Sequence, residues 1–184
     1  MGIYISSSLE FNEHDIVFDN NQYVMMDWED TLMSASAAYI CENGGDILEI
    51  GFGMGISANY IQSHIITSHT IVENHPDVIP KALEWASDKP NVTIVEGNWY
   101  DKKDILSTYD GLFYDTYGDS EMEYFGSTLP TLMNEGGRAT WWNSISDEAN
   151  FYNISNVTYD VCDVNPPNNQ YFNYTKYYLP KKQF

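Results

Sequence analysis

Apolar positions along this chain fall into short continuous runs separated by stretches with helical spacing. Ile47, Leu48 and Ile50 form one such run, and its lack of alternation predicts a strand buried on both faces. Gly51, Gly53 and Gly55 follow at once, and apolar residues then recur at helical spacing over 56–64. A second apolar run ends at Glu73. Upstream, Leu32, Met33, Ala35, Ala37, Tyr39 and Ile40 predict a helix over 28–41, closed by Gly44-Gly45. Downstream, Pro76-Asp77 opens a helix that runs to about residue 87, and Pro90-Asn91 ends it. The pattern then predicts a third strand at N-V-T-I-V-E-G, a helical turn over 101–106 and a fourth strand over 111–115. A helix over 120–133 closes at Gly136-Gly137, and a fifth strand spans 138–143. Two last runs, 157–164 and 171–179, flank Pro166-Pro167-Asn168-Asn169 and read as an antiparallel hairpin.

Strands alternating with helices predict an α/β fold. The expected form has three layers and is Rossmann-like, with a mostly parallel seven-stranded sheet and an antiparallel C-terminal hairpin strand. A chain of 184 residues is one domain of ordinary size, 1–184, in which the mostly polar stretch 1–27 reads as an N-terminal cap or lid. There is no internal repeat.

Strand, glycine turn, helix, second strand and terminal acid make the first half of a nucleotide-binding unit. The glycine spacing is G-x-G-x-G, which departs from the dinucleotide fingerprint G-x-G-x-x-G. Glu49 also lies inside the first strand, two residues before the turn. A carboxylate there repels a pyrophosphate but suits a ligand carrying an amine and a sulfonium. S-adenosyl-L-methionine is such a ligand and is expected here over a dinucleotide, with S-adenosyl-L-homocysteine as the product. Ligands of open α/β sheets lie beyond the carboxyl ends of the strands, and four such ends converge here. Glu49, Gly51, Phe52, Gly53 and Gly55 are expected at the methionine part. Glu73 and Asn74 are expected at the ribose, and Gly97, Asn98 and Trp99 at the adenine. Asp115, with Thr116 and Tyr117, faces the reacting centre.

Charge narrows the partners. Eight basic against 27 acidic residues give a net charge of −19. Such a field repels phosphate backbones and excludes nucleic acid as a natural ligand, while it attracts a guanidinium compound or a basic protein. Cys41 and Cys162 lack CxxC spacing and predict buried thiols in a reducing, cytoplasmic setting. No apolar run is long enough to span a bilayer, so no membrane association is expected. Met1-Gly2 with Ser6 and Ser7 fits a myristoylation pattern, but no polybasic patch accompanies it. His14, His64, His69 and His75 are scattered, and no metal set is expected.

The segments V-M-M-D-W-E, G-F-G-M-G, E-N-H-P-D-V, E-G-N-W and Y-D-T-Y resemble the guanidino N-methyltransferases. These include guanidinoacetate N-methyltransferase and the fungal enzyme that methylates the δ-nitrogen of a protein arginine. The match runs from about Val24 to the end of the chain. The resemblance implies a class I methyltransferase fold and a guanidino acceptor, either a guanidinoacetate-like small molecule or arginine. It also implies that Glu29 and Asp115 grip the guanidinium and carry catalysis. Trp28, Thr116 and Tyr117 fall on the acceptor side, Met25 and Met33 near the cofactor. Asn143 and Ser144 fall where the family holds the acceptor's carboxylate end. The chemistry agrees, because a planar guanidinium pairs with carboxylates in fork geometry and must lose a proton as it attacks. The N-terminal region and the connection over 144–156 are shorter than in the guanidinoacetate enzyme, so the acceptor can differ. A methyltransferase of another small amine and a non-catalytic cofactor-binding module are the alternatives.

Overall fold

The computed structural model of the chain describes residues 3–18 and 22–184, so the Met1-Gly2 pattern lies outside the described residues. In chain order the N-terminal elements are α1 (Ile3–Ser6), β1 (Leu9–Phe11), β2 (Asp15–Phe18), β3 (Gln22–Met26) and α2 (Asp30–Ile40). The βαβ core follows as β4 (Asp46–Ile50), α3 (Ile56–Gln62), β5 (Ser68–Glu73), α4 (Ile79–Ala86) and β6 (Val92–Glu96). The second half holds α5 (Trp99–Lys102), β7 (Tyr109–Tyr114), α6 (Phe125–Thr128), β8 (Met133–Trp141), β9 (Thr158–Asp163) and β10 (Lys176–Gln183).

Seven strands form one sheet in the order β6-β5-β4-β7-β8-β10-β9. Neighbours from β6 to β8 pair in parallel, and β10 runs antiparallel to both β8 and β9. The central strand β4 is apolar on both faces because both faces are covered. Leu48 and Ile50 pack with Leu112, Tyr114, Phe125 and Trp141 on one side. Ile47 packs with Phe113, Met33, Ala37, Ile40 and Ile61 beneath α2 and α3 on the other. Each such aliphatic side chain contributes about 1.5–3 kcal/mol when fully buried. This is the three-layer α/β fold that the alternating pattern predicts.

Several boundaries differ from the sequence reading. Within the stretch read as an N-terminal cap, β1, β2 and β3 form a separate antiparallel sheet, in the order β1-β2-β3. Helix α4 starts at Ile79, because the residues after Glu73 are held in a turn, with the Val78 N–H donating to the His75 carbonyl at 3.0 Å. The helix expected over 120–133 breaks into short pieces around α6. Pro130 contributes to the break, since it lacks the N–H that a continuing turn needs.

Gly136-Gly137 does not close a helix but lies within β8. There the register runs from Tyr109↔Met133 to Gly111↔Arg138, so β8 carries a bulge with Gly136 at φ +81°. The last strand begins at Lys176, not at Tyr171. Residues 165–175 form a turn held by Asn169, whose carboxamide accepts from the Tyr171 and Phe172 N–H groups and donates to the Pro167 and Phe172 carbonyls.

The tightest constraint is at the end of β4. Gly51 adopts φ +97°, and a Cβ there would overlap the Asp115 carbonyl oxygen. Gly51→Ala should therefore lower stability by about 1–3 kcal/mol, the cost of such backbone strain. Denaturant unfolding is the measurement, and an unchanged midpoint and slope would contradict the constraint.

Candidate active site

The sheet ladder itself sets the height of the strand ends. The Gly97 N–H donates to the Glu73 carbonyl at 2.8 Å, and the Gly51 N–H to the Val72 carbonyl at 2.9 Å. The Asp115 N–H donates to the Ile50 carbonyl at 2.9 Å, and the Trp142 N–H to the Tyr114 carbonyl at 2.9 Å. Positions 51, 73, 97, 115 and 142, remote in sequence, thus sit side by side at one edge of the sheet. A crevice, part of it open to solvent, lies above them. Met25, Glu29, Gly51, Phe52, Gly53, Glu73, Asn74, Gly97, Trp99, Asp115, Thr116 and Tyr117 all line it.

Glu73 is buried at the end of β5. One oxygen accepts from the Phe52 N–H at 2.8 Å; the other accepts from the N–H groups of Asn74 at 2.8 Å and His75 at 2.7 Å. Burial raises its pKa, and these three hydrogen bonds oppose the rise. The carboxylate is thereby aimed across the glycine turn, and a carboxylate has about four acceptor positions.

Glu29 lies just before α2 and is only 3% exposed. Its Oε1 accepts from the Met26 N–H at 3.0 Å and from the Tyr171 hydroxyl at 2.6 Å. The Trp28 indole in turn donates to the Tyr171 hydroxyl at 3.2 Å. Burial pushes the Glu29 carboxyl above the usual carboxylate range, and the charge of Asp115 adds to the rise. Asp115 is raised first by burial and then by Glu49. Among the described residues, no Lys, Arg or His side chain lines the crevice. Three acids therefore face one cavity without a cation, and Trp142 and Tyr171 supply aromatic wall beside them. The arrangement suits a planar, delocalised cation, which pairs with carboxylates through its edge and with rings through its face.

Seven residues expected at the site are not on the crevice wall. Met33 is packed in the core between α2 and the sheet. Glu49 is fully buried on the α3 side, where it accepts from the Ser57 hydroxyl and meets His69 Nε2 at 3.0 Å. Gly55 stands at the N-terminus of α3, where a Cβ would press on the Phe52 ring, so its role is to make room. Asn98 caps α5, accepting from the Tyr100 N–H at 2.8 Å. Trp28 stacks on Tyr171 and Phe172 behind the wall. Asn143 is spent on the carbonyls of Asp147 and Tyr178, and Ser144 points to solvent.

Tyr4, Val24, Ser57, Trp142 and Tyr171 line the crevice, although the sequence pattern did not single them out. Tyr4 reaches it from α1, its carbonyl accepting from His75 Nε2 at 3.0 Å and its ring 5.0 Å from that of Tyr117. The only signal for Tyr171 is the aromatic, Asn-rich composition of its turn.

The chain matches the family model described as guanidinoacetate N-methyltransferase over residues 4–146. It is 32% identical to Protein arginine N-methyltransferase 2 of Kluyveromyces lactis over 216 aligned positions, covering 98% of this chain and 53% of that protein. The protein of the same name from Eremothecium gossypii is 37% identical, over 86% of this chain and 40% of the relative. The chain thus spans about half the length, or less, of these curated relatives. Among solved structures, spermidine synthase from Thermotoga maritima superposes with a TM-score of 0.68 at 13% identity, covering 96% of this chain and 68% of that one. Precorrin-6y C5,15-methyltransferase from Geobacter metallireducens gives 0.63 at 15% identity, covering 84% and 87%. At these identities the structural likeness concerns the fold alone.

The raised carboxyls have a consequence for stability. Both folded values lie above the unfolded ones, so their contribution to folding is fully present below about pH 4. It is lost as pH rises through the raised folded values. Glu29→Gln and Asp115→Asn should each gain stability relative to the parent chain as pH climbs from acid to neutral. Melting temperatures measured across that range check the sign, and a variant-minus-parent difference that falls as pH rises would overturn it.

Proposed function

The chain belongs to the guanidinoacetate N-methyltransferase family, and on that premise we propose that it transfers a methyl group from S-adenosylmethionine to a nitrogen of a guanidino group. The acceptor is a guanidinoacetate-like small molecule or an arginine. One observation carries this reading: Glu29 and Asp115 face the same crevice, beside the glycine turn, with no basic side chain among the described lining residues.

The residues present fit the methyl donor. Gly51 and Gly53 have positive φ, and a Cβ on Gly53 would meet the Met25 sulfur, so the turn is a cradle kept free of side chains. The Glu73 carboxylate beside it suits ribose hydroxyls, Gly97 and Trp99 the adenine, and Met25 the methionine part. When bound, the donor supplies an electrophilic methyl group on a sulfonium.

The protein's own share is binding, orientation and proton removal. A guanidinium has a pKa above about 12, so the free cation is a poor nucleophile. Glu29 keeps Oε1 for Met26 and Tyr171, which leaves Oε2 for an acceptor N–H. Asp115 stands at the strand end nearest the glycine turn, and its raised pKa suits it to take the proton that the attacking nitrogen loses. Much of the rate should come from holding nitrogen and methyl carbon in line.

Labelled methyl transfer to guanidinoacetate, arginine and an arginine-containing peptide tests the reading. At least one should be methylated, at a rate that rises with pH as the raised carboxyls of Glu29 and Asp115 ionise. Asp115→Asn should lower kcat, and Glu29→Gln should mainly raise KM for the acceptor. Tyr171→Phe removes a hydrogen bond that favours ionised Glu29, so its pH profile should shift upward. Turnover of none of the three acceptors, with S-adenosylhomocysteine still bound, would remove the guanidino class. Glu73→Ala should weaken S-adenosylhomocysteine binding by about 1–3 kcal/mol, read by calorimetry.

A further inference from the structure

Asp119 is a buried carboxylate that none of the chemistry above uses. Its Oδ2 accepts from the Trp99 indole at 2.7 Å, the Tyr114 hydroxyl at 2.5 Å and the Thr116 hydroxyl at 3.2 Å. Its Oδ1 accepts from the Glu121 N–H at 2.9 Å. Burying an ionised carboxylate is costly unless donors replace its water, and four donors meet this one, three of them on Oδ2. The origin of the donors is informative. Trp99 is the first residue of α5 and lines the crevice on the side assigned to the adenine. Tyr114 and Thr116 flank Asp115 in the chain, and the Tyr114 side chain does not itself line the crevice. Two residues on, Glu121 Oε2 accepts from the Asn98 carboxamide at 2.8 Å. One short segment thus holds the turn after β6 through two carboxylates, and Asp119 also holds the end of β7.

We propose that Asp119 is a positioning residue that sets Trp99 against the cofactor and Asp115 against the acceptor at the same time, with Glu121 steadying the Gly97-Asn98 turn. This rests on the methyltransferase reading above. Rate in such a site depends on sub-ångström placement of nitrogen, methyl and sulfur, and a single anchor shared by both walls ties their spacing together. Asparagine at 119 would leave an NH2 group facing donors, or withdraw one acceptor position, and so release both walls.

The test uses the full chain with Asp119→Asn and Tyr114→Phe, both confirmed as folded by circular dichroism at the assay temperature. Calorimetry with S-adenosylhomocysteine reads the cofactor wall, and kcat against KM with an acceptor that the parent chain methylates reads the other. Asp119→Asn should weaken S-adenosylhomocysteine binding about tenfold and lower kcat about tenfold or more, the scale of a lost charge-assisted hydrogen bond. Tyr114→Phe, which removes one hydroxyl outside the crevice wall, should lower kcat several-fold with a smaller change in acceptor KM. Unchanged affinity and kcat in folded Asp119→Asn would overturn the proposal, because a merely structural role moves only the melting temperature. If Asp119→Asn does not fold, unchanged kcat in Tyr114→Phe overturns it. If the parent chain binds S-adenosylhomocysteine but methylates no guanidino acceptor, the guanidino reading fails. The affinity of Asp119→Asn for S-adenosylhomocysteine then decides the proposal by itself.

Discussion

The ends of β4 and β7 approach so closely that no side chain fits between them, and the rest of the site depends on that contact. Gly51 leaves β4 in the left-handed region, directly against the Asp115 carbonyl. The same step turns the backbone away from the sheet and starts the cradle that ends at α3. It also fixes the Asp115 side chain at the lip of the cradle, because the Asp115 N–H is the next rung of the ladder, on the Ile50 carbonyl. A parallel sheet with β4 at its centre is the scaffold that makes this possible, since it presents all of its carboxyl ends on one edge.

The second theme is how an acidic chain buries carboxylates with few cations. Glu73 is held by three backbone N–H groups and Asp119 by three side-chain donors and one backbone N–H. Glu49 has Ser57 and His69. Glu29 has one N–H and one phenol, both on the same oxygen. Hydrogen bonds replace counter-ions, and the balance differs from acid to acid. At Glu29 and Asp115 burial and neighbouring negative charge keep the pKa high, so this pair is the place where an incoming cation gains most.

Helices and strands were legible where local pattern and tertiary demand agree. The apolar run 47–50, the glycine turn and the acid at 73 are a continuous segment, and each residue's role follows from its neighbours in sequence. The errors cluster where long-range contacts decide. Gly136 sits in a bulge whose partner is β7, so it does not mark a helix end. The strands β1, β2 and β3 were not legible in the polar N-terminal stretch because each is short.

Site residues divide in the same way. The motif segments were written in the chain: Asp115 follows from its place at a strand end, whereas both acids of the proposed guanidinium clamp are what the resemblance to the guanidino N-methyltransferases implies. Local spacing does not reveal where a side chain finds its hydrogen-bond partners. Asn98 stands beside the crevice but is consumed in capping α5, and Glu49 turns toward Ser57 and His69 beneath α3. Tyr171, 142 positions after Glu29, reaches it only because the turn built on Asn169 folds back over α2. The sequence by itself determined the order of elements and the chemical types at the strand ends, since these depend on neighbours a few residues apart. Only the tertiary structure decided which carboxylates are satisfied and which stay open to a ligand, since that depends on donors brought from distant parts of the chain.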